Sequence, residues 1–153
     1  MVLCVWGVNM KRMLTVFCLF LICLTVFLCC QNAGKSNNAV IDIGKSTKFS
    51  NKEIQSAADC VKNKFRDFKG CKLTKLWYDE KSSEKQVEGY ISNGKGSKNG
   101  AKSENVIVLL SDFNVDSSGG DGGFNPNSTY NDWCWILIRD SKTGDWKVDD
   151  WGY

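Results

Sequence analysis

Four aspartates are the side chains whose type and position could support acid–base chemistry in this sequence. Asp112 lies within an apolar run, and Asp132 comes just before a tryptophan-rich segment. Asp149 and Asp150 are neighbours close to the carboxyl end. Two carboxylates at a suitable separation can act as general acid and general base. Nothing in the spacing brings two of these four to that separation, so we predict no catalytic residue and keep an aspartate-dependent enzyme as an alternative.

Histidine is absent from the 153 residues, and this absence removes several kinds of site. Ser-His-Asp and Cys-His catalysis, histidine-ligated zinc and c-type haem all need an imidazole. The Gly-Lys-Ser triplets at 34–36 and 44–46 lack the first glycine of a Walker A loop, and the glycine-rich loop 94–100 misses the spacing of a dinucleotide fingerprint. We therefore expect no cofactor.

A partial calcium motif runs from Asp112 to Asp116, where the order Asp-x-Asn-x-Asp resembles the start of an EF-hand loop. The motif requires glycine at its sixth position and glutamate at its twelfth, and this chain has Ser117 and Gly123 there. We therefore predict no metal site, and the alternative is calcium held by Asp116 and Asp121 on the following loop.

Aromatic side chains form the candidate ligand or partner surface. On a strand, Trp133 and Trp135 would point to one side while Cys134 and Ile136 point to the other. An indole combines a large apolar surface with one N–H donor, which suits sugars, peptides and flat ligands. The alternative is that the rings fill the core beneath a helix. The candidate residues are Trp77, Tyr78, Trp133, Trp135, Trp146 and Trp151.

Eight cysteines would suggest a disulfide scaffold, but five of them lie within the first thirty residues. The remaining Cys60, Cys71 and Cys134 are odd in number and do not make a disulfide framework. A Cys60–Cys71 bond would need a sharp chain reversal, because Cys60 precedes the predicted helix end by about 12 Å. We expect three buried free thiols.

The first thirty residues have the composition of an N-terminal signal or anchor segment. Residues 13–30 carry no charge and follow Lys11 and Arg12. A basic region before an apolar region is typical of an export signal. Met10 is then a possible true start in place of Met1. We expect the rest of the chain to lie outside the cytosol.

Cys30 is the predicted lipidation site. A lipoprotein signal ends at a cysteine that follows a small residue, and Cys29 stands where Gly, Ala or Ser is usual. An uncleaved N-terminal anchor and a cleaved, free protein are the alternatives. Residues 31–48 are polar and are interpreted as a tether. Residues 49–153 are then a single domain at the extracytoplasmic face of the cell membrane.

Charge is distributed unevenly along the chain. Residues 31–103 hold 15 basic and 8 acidic residues, whereas residues 104–153 hold 3 and 9. Nucleic-acid binding usually needs a dense basic stripe with interleaved aromatics, and here the aromatics cluster in the acidic half. We expect no nucleic-acid partner, and we interpret the basic part as a solvated face and tether near an anionic membrane.

A complete helix-start signal lies at residues 49–54, FSNKEI. Ser50 and Glu53 can form a capping box, and apolar residues occupy both staple positions. Apolar residues then recur at helical spacing as far as Phe68, and Gly70 supplies a stop. The sequence therefore predicts an amphipathic helix that covers another element.

A strand, a short helix and three more strands are predicted after this helix. The strand at 104–115 is apolar enough for both of its faces to be covered. Early helices and late antiparallel strands predict an α+β domain with its helices packed on one face of a curved antiparallel sheet. The predicted elements are a strand at 73–78, a helix at 84–92, and strands at 104–115, 129–140 and 145–151.

Two stretches carry a resemblance to a known family: IDIGKS at 41–46, and residues 104–120 together with the tail 133–153. They resemble small Gram-positive lipoproteins grouped as domain of unknown function 4829. The closing residues 146–153 are also similar to the last strand of nuclear-transport-factor-2-like, or cystatin-like, domains. The resemblance implies a long helix across a bent sheet with a cone-shaped pocket, and it supplies no activity or catalytic residue.

These observations together predict an exported, non-enzymatic module that binds an unknown small ligand or protein at the cell surface. Its contact with the membrane would be a lipid anchor or the N-terminal helix. An enzyme that uses Asp112, Asp132 or Asp150 in the cone is one alternative. A structural envelope protein that forms a homodimer through its aromatic sheet face is the other.

Overall fold

The computed structural model describes residues 14–17 and 33–153, apart from the side chain of Asp121. Cys30 and most of the predicted signal segment lie outside the described residues. Residues 14–17 are helical, and Gly34–Tyr153 form one compact unit. Within the described ranges, no helix combines the length and the apolar character that crossing a bilayer requires.

Helix α1 (Asn51–Phe65) begins where the capping-box signal predicts. The Ser50 hydroxyl accepts a hydrogen bond from the Glu53 backbone N–H at 3.3 Å, and the Glu53 carboxylate accepts one from the Ser50 N–H at 2.8 Å. These bonds satisfy backbone donors that helix geometry leaves unpaired. The helix ends at Phe65, and Gly70, with φ +68°, turns the chain into the next strand.

One sheet contains five strands: β1 (Val40–Asp42), β2 (Cys71–Trp77), β3 (Val106–Val115), β4 (Thr129–Ile138) and β5 (Lys147–Gly152). They lie in the order β1-β2-β3-β4-β5. β1 is parallel to β2, and the other pairs are antiparallel. The sheet is therefore mixed, whereas the sequence predicts a wholly antiparallel sheet. The hairpin of β4 and β5 confirms the predicted closing pair of strands.

Strand β1 lies inside residues 31–48, which are predicted to be a tether. It pairs with residues 75–77, and Lys35 forms an isolated parallel bridge with Lys72. A three-residue edge strand is too short to show an alternating pattern, so the sequence did not indicate it. The folded unit therefore begins before residue 49.

Helix α2 (Glu80–Asn93) begins earlier than the predicted start at residue 84. Asp79 is its N-cap, and its carboxylate accepts a hydrogen bond from the Ser82 N–H at 2.8 Å. Single helical turns occur within segments predicted as loops or as the start of a strand. They are α3 (Gly96–Asn99), a 3-10 turn (Ser103–Asn105) and α4 (Gly119–Gly122).

The two long helices cover opposite faces of the sheet. α1 packs on the face that carries Ile107 and Leu109, whereas Val87 of α2 packs with Val106 and Val108. Alternate residues of a strand point to opposite faces. The expectation that both helices share one face is therefore wrong. The physical reason lies in β3, which has apolar side chains on both faces. Each face therefore has to be shielded from water, and one helix packs on each. The α+β class itself is confirmed.

Candidate functional site

Three of the six candidate surface aromatics belong to the core. Trp135 has 0% exposure, Tyr78 has 3% and Trp146 has 7%. Trp135 Nε1 donates a hydrogen bond to Ser111 Oγ at 2.8 Å, and Trp146 Nε1 donates one to the Glu53 carbonyl at 3.1 Å. Buried indoles normally find such a partner. For these three rings the structure favours the core-filling alternative.

The space between α1 and the sheet is filled by aliphatic and aromatic side chains, and the rings lie under the C-terminal end of the helix. Phe65, Phe113 and Trp135 are all fully buried. The Phe65 ring centroid lies 5.6 Å from that of Phe113 and 6.3 Å from that of Trp135. Edge-to-face packing of this kind adds to the apolar burial. Along the middle of α1, Ala57 and Val61 are also fully buried against the sheet, so a ligand cannot enter beneath the helix without displacing core side chains.

At the C-terminal end of α1, several rings reach the surface around a cavity of about 420 Å³, which we call the aromatic end. Trp151 is 42% exposed and Tyr153 is 80% exposed. Lys64 Nζ lies 4.7 Å from the Trp151 ring centroid and 3.0 Å from the Asp67 carboxylate. These contacts place charged groups at the rim of an apolar floor. The cavity is lined by Lys64, Asp67, Phe68, Lys69, Gly120, Phe124 and Trp151.

Trp133 is partly buried behind the aromatic end. Its ring centroid lies 5.1 Å from that of Tyr153 and 5.6 Å from that of Phe113. It shares the α1 face with Trp135 while Cys134 faces α2, which confirms the predicted alternation. Trp133 Nε1 is buried and has no hydrogen-bond partner among the described residues. An unpaired buried donor costs about 1–3 kcal/mol.

Trp77 is separate from this group of rings. The β2–β3 register places Trp77 opposite Leu110, which packs with the cluster beneath α2. Directly opposite residues on neighbouring strands point to the same face. Lys75 Nζ lies 4.5 Å from the Trp77 ring centroid. The structure therefore leaves Trp77 away from the aromatic end.

Two of the candidate acid–base residues are engaged in structural hydrogen bonds. The Asp149 carboxylate accepts a hydrogen bond from the Tyr90 hydroxyl at 2.7 Å, and the Asp150 carboxylate accepts one from Lys95 Nζ at 2.9 Å. Burial, followed by the hydrogen bond to Asp149, raises the pKa of Tyr90 to about 12. These contacts connect the C-terminal end of α2 and the turn that follows it to β5.

Asp112 and Asp132 are brought together by a backbone contact between β3 and β4. The Asp112 carboxylate accepts a hydrogen bond from the Asp132 backbone N–H at 3.1 Å. Asp132 has φ +54°, which is unusual for a residue other than glycine, and it lies where the β3–β4 register shifts. The contact therefore shapes the backbone of β4 just before Trp133.

For the alternative calcium site, the structure describes the side chain of Asp116, and that of Asp121 lies outside the described residues. The Asp116 carboxylate accepts a hydrogen bond from the Ser118 backbone N–H at 2.8 Å, and this bond, after that from the Ser118 hydroxyl, lowers its pKa. In the described part of the chain, no group of three or more acidic, histidine or cysteine side chains is placed to hold a metal ion.

Cys60, Cys71 and Cys134 are free thiols, as predicted, but only Cys71 and Cys134 are buried and Cys60 is partly exposed. Burial raises the pKa of Cys71 to about 11 and also raises the pKa values of Cys60 and Cys134. The thiolate is the nucleophilic form of cysteine. Burial therefore lowers the thiolate fraction of these three cysteines, and the alternative Cys60–Cys71 bond is not formed.

At the N-terminal end of α1, buried Arg139 forms an ion pair with partly buried Glu53, which the sequence did not indicate. Arg139 is 7% exposed, and its Nη1 lies 2.7 Å from the Glu53 carboxylate. Hydrogen bonds from the Ser50 backbone and then from Arg139 lower the pKa of Glu53 to about 2. The Arg139 guanidinium lies 4.4 Å from the Trp146 ring centroid and 5.8 Å from that of Phe49. The one sequence signal is an arginine directly after the apolar run of β4.

Arg139 lines a cavity of about 390 Å³, which we call the polar end. The cavity adjoins a groove of about 260 Å³ beside α2, and the two share Lys48, Phe49 and Ser103. Glu104, Arg139 and Lys142 complete the cavity. The rest of the groove consists of Tyr78, Ser83, Glu84, Val87, Glu88, Ile91, Ser92 and Val106.

Comparison with known families gives one finding for this chain. A family described as a domain of unknown function, DUF4829, matches residues 37–152. No curated protein and no solved structure matches the chain. The match covers β1 to β5 and brings no assigned activity.

Proposed function

The chain belongs to the DUF4829 family, and we propose that it is a non-enzymatic binding module at the extracytoplasmic face of the cell membrane. Its ligand site is the aromatic end. The observation that carries this proposal is the 42% exposure of Trp151 beside a cavity of about 420 Å³. An exposed aromatic patch at a concave surface is typical of a ligand or partner site.

The composition of the aromatic end suits a sugar ring. Phe68, Phe124 and Trp151 supply an apolar floor, and Lys64 and Asp67 supply charged groups at the rim. The C–H face of a sugar can pack on an indole while its hydroxyls bond to the rim.

Attachment to the membrane is part of the proposal and is supported by the sequence. The uncharged residues 13–30 after Lys11 and Arg12 support export, and Cys30 supports a lipid anchor, with an uncleaved N-terminal helix as the alternative. Mass spectrometry of the mature N-terminus tests this point. An unmodified Cys30 in a processed chain would remove the lipid anchor from the proposal.

We also propose that the fold is a variant of the nuclear-transport-factor-2-like architecture. The long helix α1 across one face of the β3–β5 meander supports this proposal. Two features differ from a simple cone: α2 lies on the opposite face, and buried aliphatic and aromatic side chains fill the space beneath α1. The open surfaces are therefore at the two ends of α1.

The two alternative functions differ in their support. The enzyme is less favoured, because Asp149 and Asp150 already bond to Tyr90 and Lys95. The homodimer stays an alternative, because Trp151 and its neighbouring exposed rings also suit an interface between copies. A sedimentation coefficient that rises with protein concentration would favour the homodimer.

The test uses protein that lacks residues 1–33 and keeps the compact unit. We expect a tetramer of N-acetylglucosamine to change the tryptophan fluorescence in a saturable way. Trp151→Ala should weaken this binding at least about tenfold, because it removes the stacking surface. Trp77→Ala is the matched control and should bind normally. Equal binding by the two variants would rule out the aromatic end as the site.

A further inference from the structure

We propose that the aromatic end binds the sugar head group of a glycolipid in the same membrane to which the chain is attached. This inference rests on the proposed function, because it takes the aromatic end as a sugar site and residues 1–30 as the anchor segment. It adds the source of the sugar, which is a lipid of the supporting membrane and not a glycan in solution.

The first observation is the place where the chain enters the folded unit. Gly34 is the first residue of this unit, and its backbone N–H donates a hydrogen bond to the Arg66 carbonyl at 3.0 Å. Gly34 is buried, and a side chain there would clash with the Phe65 carbonyl oxygen. The N–H of Lys35 donates to the Cys71 carbonyl at 2.9 Å. The entry point is therefore fixed at the turn after α1, and this turn carries three of the residues that line the cavity of the aromatic end.

The second observation is the short connection between the proposed anchor and this entry point. Cys30 precedes Gly34 by four residues. An extended chain spans at most about 3.6 Å per residue, so the connection reaches no farther than about 14 Å. The uncharged run that would form the alternative, uncleaved anchor also ends at residue 30. Either anchor would therefore keep the entry point close to the membrane surface.

The third observation is the kind of side chain that is exposed at this end. Trp151 lies in β5 and is 42% exposed, and Tyr153 directly follows the strand and is 80% exposed. Tryptophan and tyrosine are enriched at membrane–water interfaces, where their rings lie at the level of the lipid head groups. These two rings therefore suit a surface that faces a layer of head groups.

The polar groups at the cavity suit an uncharged head group with hydroxyls. Lys64 and Asp67 form an ion pair at 3.0 Å at the rim, and Lys64 also lies over the Trp151 ring. A hydroxyl can accept a hydrogen bond from the ammonium group and donate one to the carboxylate, whereas a phosphate uses only the cations. The cavity of about 420 Å³ has the size of a small-molecule site. A sugar can therefore enter it while the alkyl chains of the lipid stay in the bilayer.

The experiment uses the full chain reconstituted in phosphatidylcholine vesicles. The probe is a disaccharide of N-acetylglucosamine joined to diacylglycerol, with a photoactivatable diazirine on the sugar. We expect cross-links in residues 64–69, which include four of the residues that line the cavity. Trp151→Ala should reduce this labelling at least about tenfold, because it removes the stacking surface. Trp77→Ala is the matched control, and equal labelling of the two variants would overturn the proposal.

A tether variant tests the reach of the anchor without a change in the site. Insertion of about 20 Gly and Ser residues between Gln31 and Asn32 should reduce the labelling about tenfold, because effective concentration falls roughly as the −3/2 power of the length of a flexible tether. The same insertion between Lys142 and Thr143, in the exposed turn before β5, is the matched control and should leave the labelling unchanged. Undiminished labelling in the tether variant would contradict the inference.

Further outcomes separate this inference from the proposed function. If the soluble tetramer of N-acetylglucosamine binds but the glycolipid is not cross-linked, the inference is wrong and the proposed sugar site stands. If neither binds, both are wrong. A chain that does not float with the vesicles in a density gradient lacks the attachment on which the inference depends, and this result would also overturn it. Loss of labelling when phosphatidylglycerol replaces phosphatidylcholine would assign the site to anionic lipids instead.

Discussion

The two ends of α1 are built by different interactions. At the polar end, Glu53 and Arg139 are 86 residues apart in sequence and are joined by a contact of 2.7 Å. At the aromatic end, ring packing dominates, as in the Phe68–Phe124 pair with centroids 5.6 Å apart. Directional bonds fix the orientation of a few groups, whereas ring packing creates a broad surface and leaves Trp151 partly exposed. One helix thus has one end that orients charge and another that offers apolar contact.

The largest expected loss of stability is at Phe68, which packs among the buried rings of the aromatic end. Phe68 is 7% exposed, and its ring centroid lies 5.3 Å from that of Phe65 and 5.0 Å from that of Trp135. Phe68→Ala should lower the free energy of unfolding by about 3–5 kcal/mol, because it leaves a cavity among rings. Urea denaturation measures this change. A loss below about 1 kcal/mol would show that ring packing is not what holds this end together.

The second largest loss of stability is expected when the ion pair of the polar end is removed. Arg139→Met leaves the Glu53 carboxylate without its cation and should lower the free energy of unfolding by about 3 kcal/mol. The lower end of the range for buried pairs applies, because the Glu53 side chain is 26% exposed. Lys142→Gln, on the exposed rim, should change stability by less than about 0.5 kcal/mol. If Arg139→Met proves as stable as the unsubstituted protein, the charge network does not stabilise this end.

The polar end should also make stability depend on acid pH. The folded-state pKa of Glu53 is about 2, against an ordinary value of 4.5. A carboxyl with a lowered folded pKa stabilises the fold above its unfolded pKa, and this contribution is lost as the pH falls from about 5 towards 2. Glu53→Gln should therefore flatten the dependence of unfolding free energy on pH in this window, as measured by urea titrations at each pH.

Glu80 provides the comparison for that measurement. Hydrogen bonds from Ser46 and Thr47 lower its pKa to about 2, but its carboxylate is solvent-accessible. Glu80→Gln should therefore remove a smaller part of the same slope than Glu53→Gln. The reverse order would mean that the contact between Arg139 and Glu53 is not the main source of the acid dependence.

The smallest stability effect is expected at Trp151, where binding should change instead. Because Trp151 is 42% exposed, Trp151→Ala should lower the free energy of unfolding by less than about 1 kcal/mol while it weakens sugar binding at least about tenfold. Thermal unfolding and fluorescence titration of the same sample separate the two effects. A stability loss as large as that of Phe68→Ala would make Trp151 a core residue.

The sequence predicts those parts of the fold whose signals are local. Ser50 and Glu53 are three residues apart and together mark the start of α1. No spacing rule joins Glu53 to Arg139, so the polar end could not be found from sequence. β1 is too short to show a pattern. β3 did indicate that both faces need cover, but periodicity alone does not say which helix covers which face.

In the candidate site, too, local features could be predicted from the sequence, whereas features that depend on tertiary packing could not. The alternation of Trp133 and Trp135 on one face follows from strand geometry and could be predicted. Trp135 and Trp151 lie opposite each other on β4 and β5, yet one is fully buried and the other is 42% exposed. That difference depends on how far α1 extends over the sheet, and the hydrophobic pattern of a strand does not contain this information.

The burial of Cys71 and Cys134 affects how easily the domain is oxidised. Peroxides attack the thiolate, and Cys71, with a pKa of about 11, is almost wholly protonated near neutral pH. Burial acts in the same direction on Cys134. As long as the domain stays folded, Cys71 and Cys134 should therefore resist sulfenic acid formation and cross-linking between molecules. Damage to these two thiols would begin with unfolding.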